Sequence, residues 1–233
     1  VVSRTYTTVN GNKVPMQFYV LEENADKADH QLELLERTVK IDEKYFGEYP
    51  WAKEKIAIVE TPHLGMEHQT MNAYGNKFRY SKLAGQDFDW LMQHEFGHEW
   101  WGNKVTAKDW AHYWIQEGIC TYGDALQVRD IGGEEAYLKR MRVTAMNFKN
   151  DKPVVMGEVG LTEDEAYNPD IYGKGAVFMH TLRHVMGDDI FFPTLKAFAT
   201  DSNYTYSNLA TTDDVQNYFS KASGKELKPL FDL

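Results

Sequence analysis

Asp87-Phe88-Asp89-Trp90-Leu91-Met92-Gln93-His94-Glu95-Phe96-Gly97-His98-Glu99-Trp100-Trp101 is the stretch on which the reading of this chain turns. Leu91, His94, His98 and Trp101 fall on one stripe at helical spacing, so a helix is expected over 87–101. His94 and His98 then stand one above the other on a single face, with Cβ atoms about 5–6 Å apart. Both imidazoles can reach one small cation at about 2.0–2.1 Å each. Glu95 lies about 100° further round the helix. It is out of line for ligation, yet it can reach a water held beside the metal. The stripe is otherwise apolar, so the histidines point into the domain, and Gly102-Asn103 supplies a stop for the helix. The pattern implies a zinc hydrolase if a third ligand exists.

Catalytic zinc takes three protein ligands and leaves a position open. A third histidine following at x-x-G-x-x spacing is excluded, because Trp101 and Lys104 occupy the Gly and His positions. Glu99 adjoins His98 and points away from the shared face. Glu117, in Trp114-Ile115-Gln116-Glu117-Gly118, is the better candidate, with eighteen residues between it and His98 for an antiparallel return. Asp109, His112 and Cys120 are the weaker alternatives, and Cys120 reads first as a small buried core residue. Asp124, two turns beyond Glu117 on the same face, is a candidate partner for a ligand histidine. His180 and His184 are also four apart, but no glutamate follows His180, and they read as helix-face residues.

The 233 residues are 26% charged, 42% hydrophobic and 14% aromatic, a globular composition with enough apolar residues for a sizeable core. A net charge of −10 and the lack of a basic stripe argue against nucleic acid. No apolar run is long enough to span a bilayer. Cys120 is the only cysteine, which excludes an intrachain disulfide and leaves the compartment open. The chain begins Val1-Val2-Ser3 and closes amid alternating apolar residues, so it is expected to be one domain, 1–233, of a longer protein.

Along the chain, a hairpin is expected from Thr5–Val9 and Lys13–Val20 across Asn10-Gly11-Asn12. Then come a helix from Ala25 to Phe46, a strand over 56–59, and a loop with an edge strand over 61–76. Helices are expected at 110–128, 134–147, 172–186, 190–200 and 212–221, with Glu163-Asp164-Glu165 in a solvated loop near the cleft. Strands early and helices late give an α+β domain.

The run His94-Glu95-x-x-His98-x-Trp100-Trp101-Gly102-Asn103, followed by Val105-Thr106 and Trp114-Ile115-Gln116-Glu117-Gly118, resembles the aminopeptidase N family of zinc metallopeptidases, which includes leukotriene A4 hydrolase. Gly65-Met66-Glu67-His68 is similar to the family's Gly-x-Met-Glu-Asn exopeptidase signature, and Tyr172-Gly173-Lys174-Gly175-Ala176 to its Tyr-x-Lys-Gly-Ala segment. Order and spacing agree from Gly65 to Ala176. The resemblance implies the family's thermolysin-like catalytic domain without its flanking domains, and one Zn2+ per chain on His94, His98 and Glu117. It implies Glu95 as general base and Tyr172 as hydrogen-bond donor to the oxyanion. Gly65, Met66 and Glu67 would hold a peptide substrate with a free amino terminus. Two departures stand out: His68 in place of the signature Asn, and Ile115-Gln116 in place of Leu-Asn. The leading reading is a zinc aminopeptidase. Epoxide hydrolysis on the same zinc site, as in one branch of the family, and a non-catalytic scaffold are the competing ones.

Overall fold

The computed structural model describes the chain except Met156, Glu158, Val159 and Leu233. β1 (Val2–Thr7) and β2 (Lys13–Tyr19) form the expected antiparallel hairpin. β1 begins before Thr5, because Val2 and Phe18 already face each other across the ladder. A 3-10 turn (Glu22–Lys27) leads into α1 (Ala28–Phe46), which buries Leu32, Leu35, Val39 and Phe46 on one face and stops at Gly47.

β3 (Ile56–Glu60), β4 (Gly65–Met66) and β5 (Asn72–Tyr74) complete a five-stranded sheet of order β1-β2-β3-β5-β4. β2, β3 and β5 run parallel, whereas β4 pairs antiparallel with β5 at the edge. Residues 61–76 thus supply two strands where one was expected, and β5 is interior. A second hairpin, β6 (Ser81–Leu83) and β7 (Gln86–Phe88), turns on Ala84 and Gly85, both at positive φ (49° and 78°).

The helix expected over 87–101 is shorter. Asp87 and Phe88 belong to β7, Asp89 is the N-cap, and α2 spans Trp90–Gly97. Beyond Gly97 the chain tightens into i→i−3 hydrogen bonds, Glu99 N–H to Phe96 O at 3.1 Å and Trp100 N–H to Gly97 O at 3.1 Å. The stop assigned to Gly102-Asn103 therefore falls after the helix, where Gly102 (φ 135°) turns the chain toward a bridge between Trp101 and Val105.

The second half is helical. Trp110–His112 is a 3-10 turn capped by Asp109, and α3 runs Trp114–Asn147 with a break at Gly133 (φ 82°). The helices expected at 110–128 and 134–147 are the two limbs of α3, the first starting at Trp114. α4 (Glu163–Ala166), α5 (Asp170–Met186), α6 (Asp188–Thr200), α7 (Thr212–Ser223) and α8 (Lys228–Phe231) follow. The result is the expected α+β fold. No helix among the described residues is long and apolar enough to cross a membrane.

One contact between α3 and α5 positions the chemistry. A Cβ on Gly118 would lie 2.8 Å from Ile171 O and 2.9 Å from Gly175 Cα, and one on Gly175 would lie 2.8 Å from Gly118 Cα. The two backbones touch because neither residue has a side chain. Glu117 precedes one glycine and Tyr172 sits one turn before the other, so the crossing brings carboxylate and phenol together.

Candidate active site

α2 is held at its start by a buried carboxylate. Asp89 accepts from Met92 N–H at 3.3 Å, Tyr74 O–H at 2.6 Å, Gln31 Nε2 at 3.0 Å and Asn76 Nδ2 at 2.8 Å. These bonds tie α2 to α1 and β5, so the helix carrying His94 and His98 has a fixed origin.

Each histidine has its Nδ1 committed. His98 Nδ1 donates to Trp101 O at 2.7 Å, and His94 Nδ1 pairs with Asp124 Oδ2 at 3.0 Å. A carbonyl and a carboxylate only accept, so the proton sits on Nδ1 and both Nε2 atoms present lone pairs. Those Nε2 atoms are 3.3 Å apart. Glu117 Oε2 lies 3.5 Å from His94 Nε2 and 3.3 Å from His98 Nε2, and receives no hydrogen bond. Three acceptors, those of His98 and Glu117 on buried residues, face one point without a proton among them, an arrangement that suits a cation. A tetrahedral ion with bonds of about 2.0–2.1 Å sets its ligand atoms about 3.3 Å apart, so the residues present fit zinc.

Cys120 also places its sulfur within 4.8 Å of nitrogens of both histidines. Its thiol, however, donates to His94 O at 3.0 Å, and a Cβ on Gly97 would lie 2.9 Å from Sγ. Cys120 fills the seam between α2 and α3, whereas Glu117 turns an unpartnered carboxylate oxygen toward the histidine pair. His180 Nδ1 is hydrogen-bonded to the Tyr137 hydroxyl at 2.6 Å, a helix-face role as expected.

Burial pushes the Glu95 carboxyl up to about 7, which only protonated forms of the two imidazoles would oppose. Burial also opposes ionisation of Glu117, and His94 and His98, when protonated, outweigh it and lower that carboxyl to about 2. The Tyr172 phenol is held well above its ordinary range by burial, with Glu117 and Tyr167 adding to it, and stays a neutral donor. Its ring lies 6.0 Å from that of His94, and its hydroxyl is bonded to that of Tyr167.

A cleft of about 420 Å³ gathers the residues to which the family resemblance gave metal, catalytic or substrate roles: Gly65, Met66, Glu67, His94, Glu95, His98, Glu117 and Tyr172. Carboxylate oxygens of Glu67 and Glu117 and a ring nitrogen of His98 lie within 4.8 Å of one another. The edge strand runs close over the base, since a Cβ on Gly65 would be 2.4 Å from Glu95 Oε1. Larger hollows occur elsewhere, including one of about 550 Å³ beside Lys104 and Glu48, but the ligating clusters among the described residues belong to this cleft.

Glu163, expected near the cleft, does line it, while sequence reading missed three lining residues: Trp110, Tyr113 and Tyr167. The stretch 163–165, expected as loop, is the one-turn helix α4. Thr162 and Glu165 cap it reciprocally, and the Thr-x-x-Glu pattern was the readable signal. The Trp110 and Tyr113 rings lie 4.6 Å apart, tilted by 46°, and no spacing rule distinguishes that pair from core aromatics.

An α+β domain in which one helix presents H-E-x-x-H and the next answers with glutamate has the architecture of a gluzincin-type domain. The sequence matches the Peptidase family M1 domain over residues 30–233, and the chain belongs to that family. It is 26% identical to aminopeptidase N of Escherichia coli, across 97% of this chain and 27% of that protein. With aminopeptidase B of Mus musculus it shares 28% identity over 86% of this chain and 33% of the other. The chain thus spans about a quarter to a third of the length of these relatives. Its fold is similar to those of Legionella pneumophila aminopeptidase A (TM-score 0.79, 20% identity, 99% of this chain and 27% of that one) and an M1 zinc metallopeptidase from Deinococcus radiodurans (TM-score 0.75, 20% identity, 99% and 50%).

Proposed function

We propose that this chain is the catalytic domain of a zinc aminopeptidase, removing the first residue of peptides that carry a free amino terminus. The observation that carries this reading is the convergence of two bare imidazole nitrogens and an unpartnered Glu117 oxygen, with the Glu67 carboxylate in the same cleft.

His94, His98 and Glu117 would hold one Zn2+, and Asp124 fixes the ring and tautomer of His94. When bound, zinc supplies Lewis acidity, making water a better nucleophile and a peptide carbonyl a better electrophile. A carboxylate oxygen of Glu95 takes the proton from the attacking water and passes it to the departing amine nitrogen. The neutral Tyr172 hydroxyl donates to the oxygen that gains charge as the carbonyl becomes tetrahedral. Glu67 pairs with the substrate α-ammonium, leaving room for one residue before the scissile bond. Gly65 and Met66, on an edge strand, offer backbone groups to an extended peptide.

The test compares a short peptide with its N-acetylated form on the zinc-loaded protein. Cleavage confined to the free peptide, at its first bond, is expected. Equal cleavage of both would sink the exopeptidase reading.

A further inference from the structure

β4 is two residues long, too short to fix the residue that follows it by its own ladder. Glu67 nevertheless has a defined place, and the bonds that give it one come from below. Asn103 Nδ2 donates to Glu67 O at 3.1 Å and also to Glu99 Oε2 at 3.4 Å. Glu99 Oε1 in turn accepts from Thr70 N–H at 2.8 Å and Asn72 Nδ2 at 3.2 Å. Thr70 is held in the left-handed region (φ 62°), a conformation a threonine adopts only where its surroundings impose it.

Glu99 is fully buried, and no Lys, Arg or His lies within ion-pair distance of it among the described residues. A buried carboxylate without a cation is costly unless N–H donors surround it. Its donors here come from the turn after α2, from the segment linking β4 to β5 and from the first residue of β5. Glu99 adjoins His98, so these bonds connect the backbone of the ligand-bearing segment directly to both ends of the segment that starts at Glu67.

Resting on the reading of Glu67 as the ammonium anchor, we infer that Glu99 and Asn103 are positioning residues that set the distance from the histidine pair to Glu67, and so where a substrate's amino end is held. Neither borders the cleft. Their effect is transmitted through the Glu67 carbonyl and the Thr70 amide.

Glu99→Gln tests this with little change of shape. A glutamine keeps one acceptor for Thr70 but turns an N–H toward Asn103. The Asn103 amide must then rotate, which withdraws its donor from Glu67 O. Asn103→Ala removes the same donor and leaves the Thr70 and Asn72 bonds in place, and Glu67→Gln serves as reference. The zinc-loaded variants are assayed for kcat and KM on an aminoacyl arylamide. Dipeptide and N-acetyl-dipeptide affinities are measured by calorimetry in a Glu95→Gln background, and amide exchange is followed over residues 66–72.

Both variants are expected to raise KM about tenfold with kcat changed less than about twofold. They should narrow the preference for the free amine and leave zinc content unchanged, and Glu99→Gln should speed exchange at Thr70. Faster exchange with KM and free-amine preference as in the parent would overturn the inference and leave a purely structural role. If Glu67→Gln itself leaves that preference intact, the anchor reading fails and the inference falls with it, an outcome told apart from the first by the reference variant alone.

Discussion

The base of the cleft and its rim are built on different principles. His94, His98 and Glu117 stand on helices anchored by the Asp89 cap and the Gly118–Gly175 crossing, and His98 and Glu117 are almost wholly buried. Glu67, Glu163 and Tyr167 stand instead beside a two-residue strand and a one-turn helix, and Tyr167 is 42% exposed. Many packed atoms hold the base with its proposed ligands, whereas a few hydrogen bonds hold the rim groups proposed to meet the substrate. Altering the base should abolish the reaction or the fold, and altering the rim should change which peptide is accepted.

The largest effect is expected at the base. Glu95→Gln should lower kcat about a thousandfold while bound zinc, measured by atomic absorption, stays stoichiometric. Activity near that of the parent would mean that the base is not the reacting centre. Next, Gly118→Ala puts a methyl group 2.8 Å from Ile171 O, so α5 must shift. Denaturant unfolding should report about 2–3 kcal/mol of lost stability, with kcat falling as Tyr172 moves. A stable, fully active variant would show that the crossing is softer than the backbone contact implies.

Asp124→Asn sharpens the comparison by weakening the base without crowding it. The His94 Nδ1 bond at 3.0 Å loses its charge, and zinc affinity in a chelator competition should drop about ten- to a hundredfold. Unchanged affinity would leave Asp124 as packing only. The smallest effect is expected at Lys104, next to Asn103. The lysine residue is buried, and burial lowers its ammonium to about 8, Glu48 opposing. A depressed lysine costs the fold stability at pH values below 8, where it is charged in both states. The cost disappears as pH rises from about 8 to its unfolded value near 10.5. Lys104→Met should therefore raise stability by about 1–2 kcal/mol at pH 7, with the gain fading toward pH 10.5. A gain independent of pH would point to packing instead.

Much of the base could be read directly because its rules are local. Two histidines four apart on a helix share a face whatever surrounds them, and Glu117 lies in a pattern with few alternatives. Tyr172 became visible only through likeness to a known family, because a tyrosine near a helix start is otherwise an ordinary core aromatic. The rim was harder. β5 and the β6–β7 hairpin are three-residue strands, too short for alternation to register, and Ala84 is an unusual residue for a left-handed turn position. α2 starts late because Asp87 and Phe88 belong to that hairpin, and it ends early where the chain tightens after Gly97. Gly118 and Gly175 gave no sign that they meet, since contact between distant glycines leaves no periodic trace. Glu99 was set aside as pointing away from the face shared by the histidines, and its bonds run instead to Thr70 and Asn72, beyond Glu67.

The Gly118–Gly175 crossing has a practical corollary for anyone who would move this site into another protein. Glu117 and Tyr172 are not two grafts but one, because their separation is written in touching backbones and not in replaceable side chains. A scaffold that offers only a matching helix pair at ordinary spacing would accept the ligands and still leave the phenol out of reach.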